Sequence, residues 1–233
     1  MKKSASKHTA NHKSAVRANK RPIMRGATIP ILAMSAVTIL VISLYVSQAI
    51  STAENGQSKV VQLSEGFRYE PPQAFQIPHL NTTENKPLRR EDFKDKWTLV
   101  NFGYLSCPDI CPIHLAAIHK VSNGLDLQGV PLQVLFVTMD PDRDNIDRLK
   151  EYLPFFDPEY IGVSGNLEDL QIFGKALGTT FRLQDIDVNG NYIVVHNSVL
   201  SLINPDGLVA GQLPGLLDEK RLALFLGQII DKT

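Results

Sequence analysis

The segment 97–112, WTLVNFGYLSCPDICP, contains the pattern that decides the fold. Its first eight residues are apolar enough for a buried strand, and we predict a helix from Pro112 to Leu125. A residue before proline is disfavoured in helical conformation, whereas proline is tolerated at the first helical position. Pro112 is therefore the expected helix start, with Cys111 as its cap and Cys107 in the loop before it.

The elements around this segment alternate between strand and helix, and the chain ends with two hairpins and a helix. This order favours an α/β fold in three layers, with a central mixed sheet flanked by helices. A thioredoxin-like layout satisfies it, although the pattern alone does not separate this layout from flavodoxin-like folds. The predicted strands are 97–104, 131–139 and 160–163, the helices 112–125, 145–152, 167–177 and 218–230, and the hairpins centre on 189–190 and 204–207.

Charge is distributed unevenly along the 233 residues, although the formal net charge is zero. The first 26 residues carry eight Lys and Arg and no acidic residue, whereas the remainder has 16 basic and 24 acidic residues, a net charge of −8. A negatively charged body without an aromatic-interleaved basic patch disfavours nucleic-acid binding. With 43% hydrophobic and 21% charged residues, the composition is typical of a globular protein.

Residues 27–50 carry no formal charge, and about 20 apolar residues suffice to cross a bilayer as a helix. We predict a basic cytoplasmic tail at 1–26, a single transmembrane anchor at 27–50, a flexible tether at 51–63 and a folded domain at 64–233. The domain then faces the periplasm of a bacterial inner membrane or the cell exterior. The alternatives are a cleaved signal peptide ending near Ala49, and a mitochondrial presequence, which would place the domain in the intermembrane space.

Cys107 and Cys111, the only cysteines of the sequence, are the strongest chemical signal. The positive end of the helix dipole is expected to lower their pKa values and favour thiolate. Such a pair can form a reversible disulfide, bind a soft metal, or alternate between the two. The CxxxC spacing differs from the CxxC of thioredoxin-type oxidoreductases and from CxxCH haem attachment, which favours metal binding over redox chemistry. An inert disulfide closing so short a loop would stabilise the fold only modestly.

A two-thiolate copper site accepts an imidazole as a third ligand, so the histidines of the domain are candidates. These are His79, His114, His119 and His196. His196 stands apart because it interrupts the apolar segment YIVVHNSVLSLI at 192–203, although a buried histidine with satisfied hydrogen bonds remains the alternative interpretation.

Three motifs, in this order and behind the predicted anchor, resemble the Sco/SenC family: GYLSCPDICP at 103–112, TMDPDRD at 138–144 and VHNSVLSLINPDG at 195–207. The resemblance implies a thioredoxin-like fold and copper, as Cu(I) or Cu(II), held by Cys107, Cys111 and His196. It also implies assembly of the binuclear CuA centre of cytochrome c oxidase. The implied partners are the oxidase subunit that carries this centre, an upstream copper donor and a thiol reductant. The sequence departs from the family pattern at Leu105 and Ser106, at the rim of the site.

The acidic run at 138–144 has two further expected roles. Asp144 is the predicted N-cap of the helix that follows, as part of a solvated helix start. Arg143 is a candidate partner for Asp109, the acidic residue between the two cysteines.

Two functional hypotheses from different classes follow. The first is a membrane-tethered copper chaperone, without catalytic turnover, that passes copper to an apo site by ligand exchange. The second is a thiol–disulfide oxidoreductase that reduces the cysteines of the apo copper site or of other exported proteins, in which Cys107 attacks and Cys111 resolves. His196 separates them, because a three-coordinate copper site needs this residue and a redox dithiol does not. A redoxin-type peroxidase fits less well, because it needs an isolated peroxidatic cysteine.

The charge asymmetry predicts the orientation of the chain in the membrane. A reporter enzyme fused after Thr233 should be active only outside the cytoplasm, and the fusion should fractionate with membranes. The same reporter on residues 64–233 alone is the matched control and should remain inside the cell. A soluble fusion whose N-terminus lies near Ile50 would contradict the anchor and support the signal peptide.

Overall fold

The computed structural model of the chain describes residues 38–45, 58–107, 110–124, 131–184 and 192–230. The chain separates into two units, residues 1–56 and residues 57–233. In the first unit, residues 38–45 are helical. No helix among the described residues is both long and apolar enough to span a bilayer. The predicted anchor at 27–50 lies mostly outside these residues.

An eight-stranded sheet is the centre of the second unit as far as its residues are described. The strands lie in the order β1-β2-β10-β9-β4-β5-β6-β3, and β7 and β8 pair separately with each other. Neighbours β4, β5 and β6 are parallel, and all other pairs are antiparallel. The strands are β1 (Lys59–Gln62), β2 (Phe67–Gln73), β3 (Leu80–Thr82), β4 (Trp97–Gly103), β5 (Leu132–Thr138), β6 (Ile161–Gly165), β7 (Phe181–Leu183), β8 (Val194–His196), β9 (Val199–Ile203) and β10 (Val209–Pro214).

Helices cover both faces of this sheet. They are α1 (Ile110–Ser122), α2 (Ile146–Tyr152), α3 (Leu167–Ala176) and α4 (Glu219–Ile230), with 3-10 turns at Arg90–Phe93 and Leu153–Phe155. Buried residues of α1, α2 and α4 form one core, and α3 with Phe93 contributes to the other. Leu99 and Val100 of β4 belong to different cores, because successive side chains of a strand point to opposite faces.

The mixed sheet between two helical layers confirms the fold class expected from the order of elements. β4 is buried on both faces, as its continuous apolar run predicts. The turn 204–207 joins β9 to β10, and Gly207 takes the positive φ of 76° that glycine adopts without a steric cost. The other predicted turn, at 189–190, lies outside the described residues, and the flanking strands β7 and β8 are antiparallel.

The start of α1 differs from the prediction. Ile110 and Cys111 are already helical, so the expectation that the helix begins at Pro112, with Cys111 as a cap outside it, is wrong. The first four N–H groups of a helix have no intrahelical acceptor, so Pro112 loses no hydrogen bond in the first turn. Cys111 is only 4% exposed, and its burial against the sheet outweighs the conformational preference of a residue before proline.

Strands β1 to β3 were not predicted from the sequence. β2 contains Pro71 and Pro72, which interrupt the alternating pattern by which a strand is recognised. β1 pairs with β2 over residues 59–62, within the segment assigned to the tether.

Gly103, the last residue of β4, lies in tight contact with the core. An added Cβ would lie 2.6 Å from Cε2 of the fully buried Phe136 ring and 3.2 Å from Sγ of Cys111. We expect Gly103→Ala to lower the free energy of unfolding by about 1–3 kcal/mol, because the close-packed ring has no room to move away. Urea unfolding followed by circular dichroism measures this change.

Gly124→Ala is the matched control for this substitution. Its nearest contact would be 3.8 Å, an ordinary van der Waals distance, so a change within about 0.5 kcal/mol is expected. Equal unfolding midpoints for the two variants would contradict the tight contact at Gly103.

Candidate metal centre

The candidate site lies where the parallel strands β4 and β5 end. Gly103 and Thr138 are in register, and the next backbone N–H, of Met139, donates to the carbonyl oxygen of Gly103 at 2.8 Å. The cysteine loop leaves β4 and the acidic loop 139–145 leaves β5 at this same edge. The carboxyl edge of parallel strands is where α/β proteins place ligands, because loops rather than sheet surround it.

The two cysteines are brought together here as thiols, with no disulfide between them. Cys107 is half-buried in the loop, whereas Cys111 is buried in the first turn of α1. Burial raises the pKa of Cys111 to about 12; a backbone hydrogen bond from Tyr104 opposes this increase, and the neighbouring Cys107 and Asp144 add to it. The expected lowering of this pKa by the helix dipole is therefore wrong for Cys111, because desolvation of a thiolate outweighs the dipole at this depth.

Tyr104 is the common neighbour of the proposed ligands. Burial raises the pKa of its hydroxyl, and negative charge on Cys107 or Cys111 raises it further, which places both sulfurs close to the ring. The imidazole of His196 also packs edge-on against the Tyr104 ring, with 6.5 Å between ring centroids. Tyr104 is thus a neighbour of both the dithiol and His196, and no pattern in the sequence assigned it this place.

His196 is the last residue of β8 and is half-buried. Its Nδ1 lies 2.9 Å from the carbonyl oxygen of Asn197. Because a carbonyl oxygen only accepts hydrogen bonds, Nδ1 carries the proton in the neutral imidazole, and Nε2 is then the nitrogen that a metal would bind. Within the described residues, however, no three His, Cys, Asp or Glu side chains come close enough to hold a metal ion. Among the described residues, the structure therefore pairs the thiols and places His196 against Tyr104, without assembling a complete ligand cluster.

The other candidate histidines have different surroundings. His114 is buried, and its Nε2 accepts a hydrogen bond from the N–H of Leu217 at 3.1 Å. Burial, and secondarily the charge of His196, lowers the pKa of His114, which keeps this acceptor unprotonated. His119 lies 2.9 Å from the Asp157 carboxylate, and His79 is exposed just before β3.

Asp144 anchors the cysteine loop, so its predicted role as an N-cap is wrong. Its Oδ2 accepts hydrogen bonds from the N–H of Leu105 at 2.8 Å and from the hydroxyl of Thr138 at 2.9 Å. The actual cap of α2 is Asn145, which accepts from the N–H of Arg148. Burial raises the pKa of Asp144. The sequence did offer a signal, because this acidic run directly follows a largely buried parallel strand, at the edge where α/β proteins bind ligands.

Arg143 forms an ion pair with the buried Asp140. Asp109 lies outside the described residues, so its predicted pairing with Arg143 stays a prediction.

A dithiol at the first helix after a parallel strand, on a sheet completed by an antiparallel hairpin and a final helix, defines a thioredoxin-like protein. Residues 70–231 match the family profile described as SCO1/SenC. The chain therefore belongs to the SCO1/SenC family, as the three motifs indicate.

Individual relatives agree with this assignment. A putative copper-binding protein of Stutzerimonas stutzeri is 35% identical over 163 residues, which cover 69% of this chain and 79% of that protein. The mitochondrial SCO2 homologue of Danio rerio is 36% identical over 56% of this chain. The match covers about half of that relative, 47% of its length. The solved structure of yeast Sco1 with copper bound has a TM-score of 0.62 at 27% identity and covers 70% of this chain and 91% of that one.

The high pKa of Cys111 predicts slow alkylation of its thiol, because only the thiolate is nucleophilic. In Cys107→Ser, which retains only Cys111, the rate of labelling by iodoacetamide should be very low at pH 8. It should rise about tenfold per pH unit towards pH 11, since the thiolate fraction grows by that factor below the pKa. Mass spectrometry measures the rate.

Cys111→Ser, which retains the half-buried Cys107, is the comparison variant, and labelling in denaturant shows the intrinsic rate of each thiol. A Cys107→Ser rate that already levels off near pH 8 would contradict the raised pKa.

Proposed function

We propose that this protein is a membrane-anchored copper chaperone that binds copper through Cys107, Cys111 and His196 and delivers it to the CuA centre of cytochrome c oxidase. The observation that carries this proposal is the hydrogen-bonded thiol pair near an imidazole whose Nδ1 is engaged with a carbonyl oxygen, so that Nε2 is the nitrogen left for a metal. Two soft sulfur donors and an imidazole suit Cu(I). The copper-binding relative and the copper-bound yeast structure support the same cargo.

Copper uptake at this site is coupled to proton release. Cys111 is protonated at neutral pH because its pKa lies at about 12, so copper must displace the thiol proton to form a bond with Sγ. Copper affinity should therefore decrease as the pH falls. The same burial shields the Cys111 sulfur from other thiols.

Exposure differs among the three proposed ligands in a way that suits ligand exchange. Cys107 and His196 are half-buried and can be approached by a partner, whereas Cys111 is buried. A partner's ligands would displace the two accessible donors first, and Cys111 would hold the copper until last. Because the three side chains are not clustered, binding must also draw His196 and the sulfurs together.

The cellular setting forms part of the proposal. The charge-free segment 27–50, preceded by eight basic residues, supports an anchor with the domain outside the cytoplasm. The mitochondrial relatives support the equivalent placement in the intermembrane space as the alternative. The proposed recipient is the oxidase subunit that carries the CuA site, and the copper source is a donor on the same side of the membrane.

A thiol–disulfide oxidoreductase is the second candidate function. The hydrogen bond between Cys107 and Cys111, with one thiol half-buried and the other buried, also suits an attacking and a resolving cysteine. This chemistry needs no imidazole ligand. His196 therefore provides the experiment that separates the two functions.

Reduced protein is expected to bind one copper per chain, and oxidation of Cys107 and Cys111 to a disulfide should abolish binding. His196→Ala should weaken copper retention by more than the 10–100-fold typical of losing an outer-shell contact, since it removes a ligand. Its dithiol should still oxidise and reduce. Copper analysis after dialysis, with thiol titration, measures both properties.

His119→Ala is the matched control, since this histidine pairs with Asp157 on the surface of α1. In cells that lack the native protein, His119→Ala should restore cytochrome c oxidase activity and His196→Ala should not. Full rescue by His196→Ala would contradict copper delivery and support thiol reduction. Thermal melting of each copper-free variant shows whether folding is intact, because removal of a hydrogen-bonded histidine can cost about 1–3 kcal/mol.

A further inference from the structure

A cluster of three side chains connects the acidic loop after β5 to the segment that carries His196. The Tyr192 hydroxyl donates to Oδ1 of Asp140 at 2.6 Å, and Nε of Arg143 donates to Oδ2 of the same carboxylate. The Arg143 guanidinium also stacks on the Tyr192 ring, 3.8 Å from its centroid, and donates to the Tyr192 carbonyl oxygen at 3.2 Å. We call Asp140, Arg143 and Tyr192 the clamp.

The clamp is built around a charge that is fully removed from solvent. Asp140 is 0% exposed, and both of its oxygens accept a hydrogen bond within the cluster. A buried carboxylate is tolerated only when it is paired and hydrogen-bonded, so Arg143 and Tyr192 are held to it strongly. Asp140 itself is fixed to the main sheet, since its N–H donates to the hydroxyl of Thr138, the last residue of β5.

Side-chain hydrogen bonds at both ends of the segment 192–197 help to hold it in position. β8 pairs only with the three-residue strand β7 within the described residues, and apart from the buried Val194 its position depends on side-chain contacts at its two ends. Its far end is held by Asn197, whose side chain accepts from the N–H of Thr180 at 2.6 Å and donates to the carbonyl of Gly178 at 2.8 Å. The clamp holds the near end, four residues before His196.

We infer that Tyr192 and Arg143 are positioning residues for the copper site, which keep His196 beside Tyr104 and the dithiol so that the imidazole can close on the metal. This inference rests on the proposed copper function. The clamp does not supply a ligand. It restricts the segment that carries one, which lowers the entropy lost when His196 is captured.

Tyr192→Phe tests the inference because it removes the hydroxyl and keeps the ring. The full chain, reduced and copper-free in detergent, is compared with wild type by hydrogen–deuterium exchange. The amides of residues 193–197 should exchange about tenfold faster, the effect of losing one hydrogen bond to a charged group. After loading with Cu(I), transfer of the metal to a soluble Cu(I) chelator should accelerate by a similar factor.

Controls separate positioning from a loss of folding. Tyr69→Phe removes a different half-buried hydroxyl, which donates to Gln212 between β2 and β10, and should leave both rates unchanged. Alkylation of the cysteines should proceed at the same rate in Tyr192→Phe and wild type, and thermal melting should show that both are fully folded at the temperature of the exchange measurement. Arg143→Lys keeps a positive charge near Asp140 but loses the stacked, forked contact, and should accelerate exchange in the same segment.

Each outcome has a distinct consequence. If the amides of residues 193–197 exchange at the wild-type rate in Tyr192→Phe, the clamp does not hold this segment and the inference is wrong. Faster exchange with an unchanged rate of Cu(I) transfer overturns its role at the copper site. Failure of the wild-type protein itself to retain Cu(I) overturns the proposed function, and this result is recognised before any clamp variant is measured.

Discussion

The hydrogen bonds accepted by the Asp144 carboxylate determine the shape of the site. One oxygen of this fully buried side chain binds the N–H of Leu105 in the cysteine loop and the hydroxyl of Thr138 at the end of β5, so two chain segments 33 residues apart are joined at one point. Burial of a carboxylate is costly unless such partners are present, which makes the connection specific as well as strong. The positions of Tyr104 and Cys107, which flank Leu105, follow from it.

Burial rather than the helix dipole controls the chemistry of Cys111. A thiol at the start of a helix in contact with solvent is expected to ionise easily, but Cys111 is 4% exposed and its sulfur lies against Gly103. Desolvation of the thiolate raises its pKa to about 12, so the protonated thiol is the resting form. A thiol in this form resists oxidation and alkylation, yet a metal that replaces the proton converts it into a strong sulfur ligand. In the proposed copper function, Cys111 would react slowly with oxidants while protonated and still bind copper once the proton is displaced.

Hydrophobic patterning and turn residues predicted most of the elements after Trp97, including the β9–β10 hairpin at 204–207, but not the short strand β7. They failed where tertiary packing decides between adjacent residues of similar propensity. Asp144 and Asn145 are both suitable N-caps, and only the interior contacts of Asp144 leave the cap to Asn145. The motifs identified Cys107, Cys111 and His196 as candidates, but the sequence could not reveal the contact between Tyr104 and His196, because it joins residues 92 positions apart.

The two halves of the proposed site differ in how firmly the fold holds them. The thiols are tied to the main sheet through Asp144 and the first turn of α1, whereas His196 lies on a short ribbon secured at its ends by side chains. Local opening requires less free energy where fewer buried contacts must be broken, so the imidazole side opens more easily than the dithiol side. This asymmetry suits the cargo role proposed for the site. In that role the imidazole would leave the metal early and Cys111 last, so that copper would pass to a partner's ligands without escaping into solution.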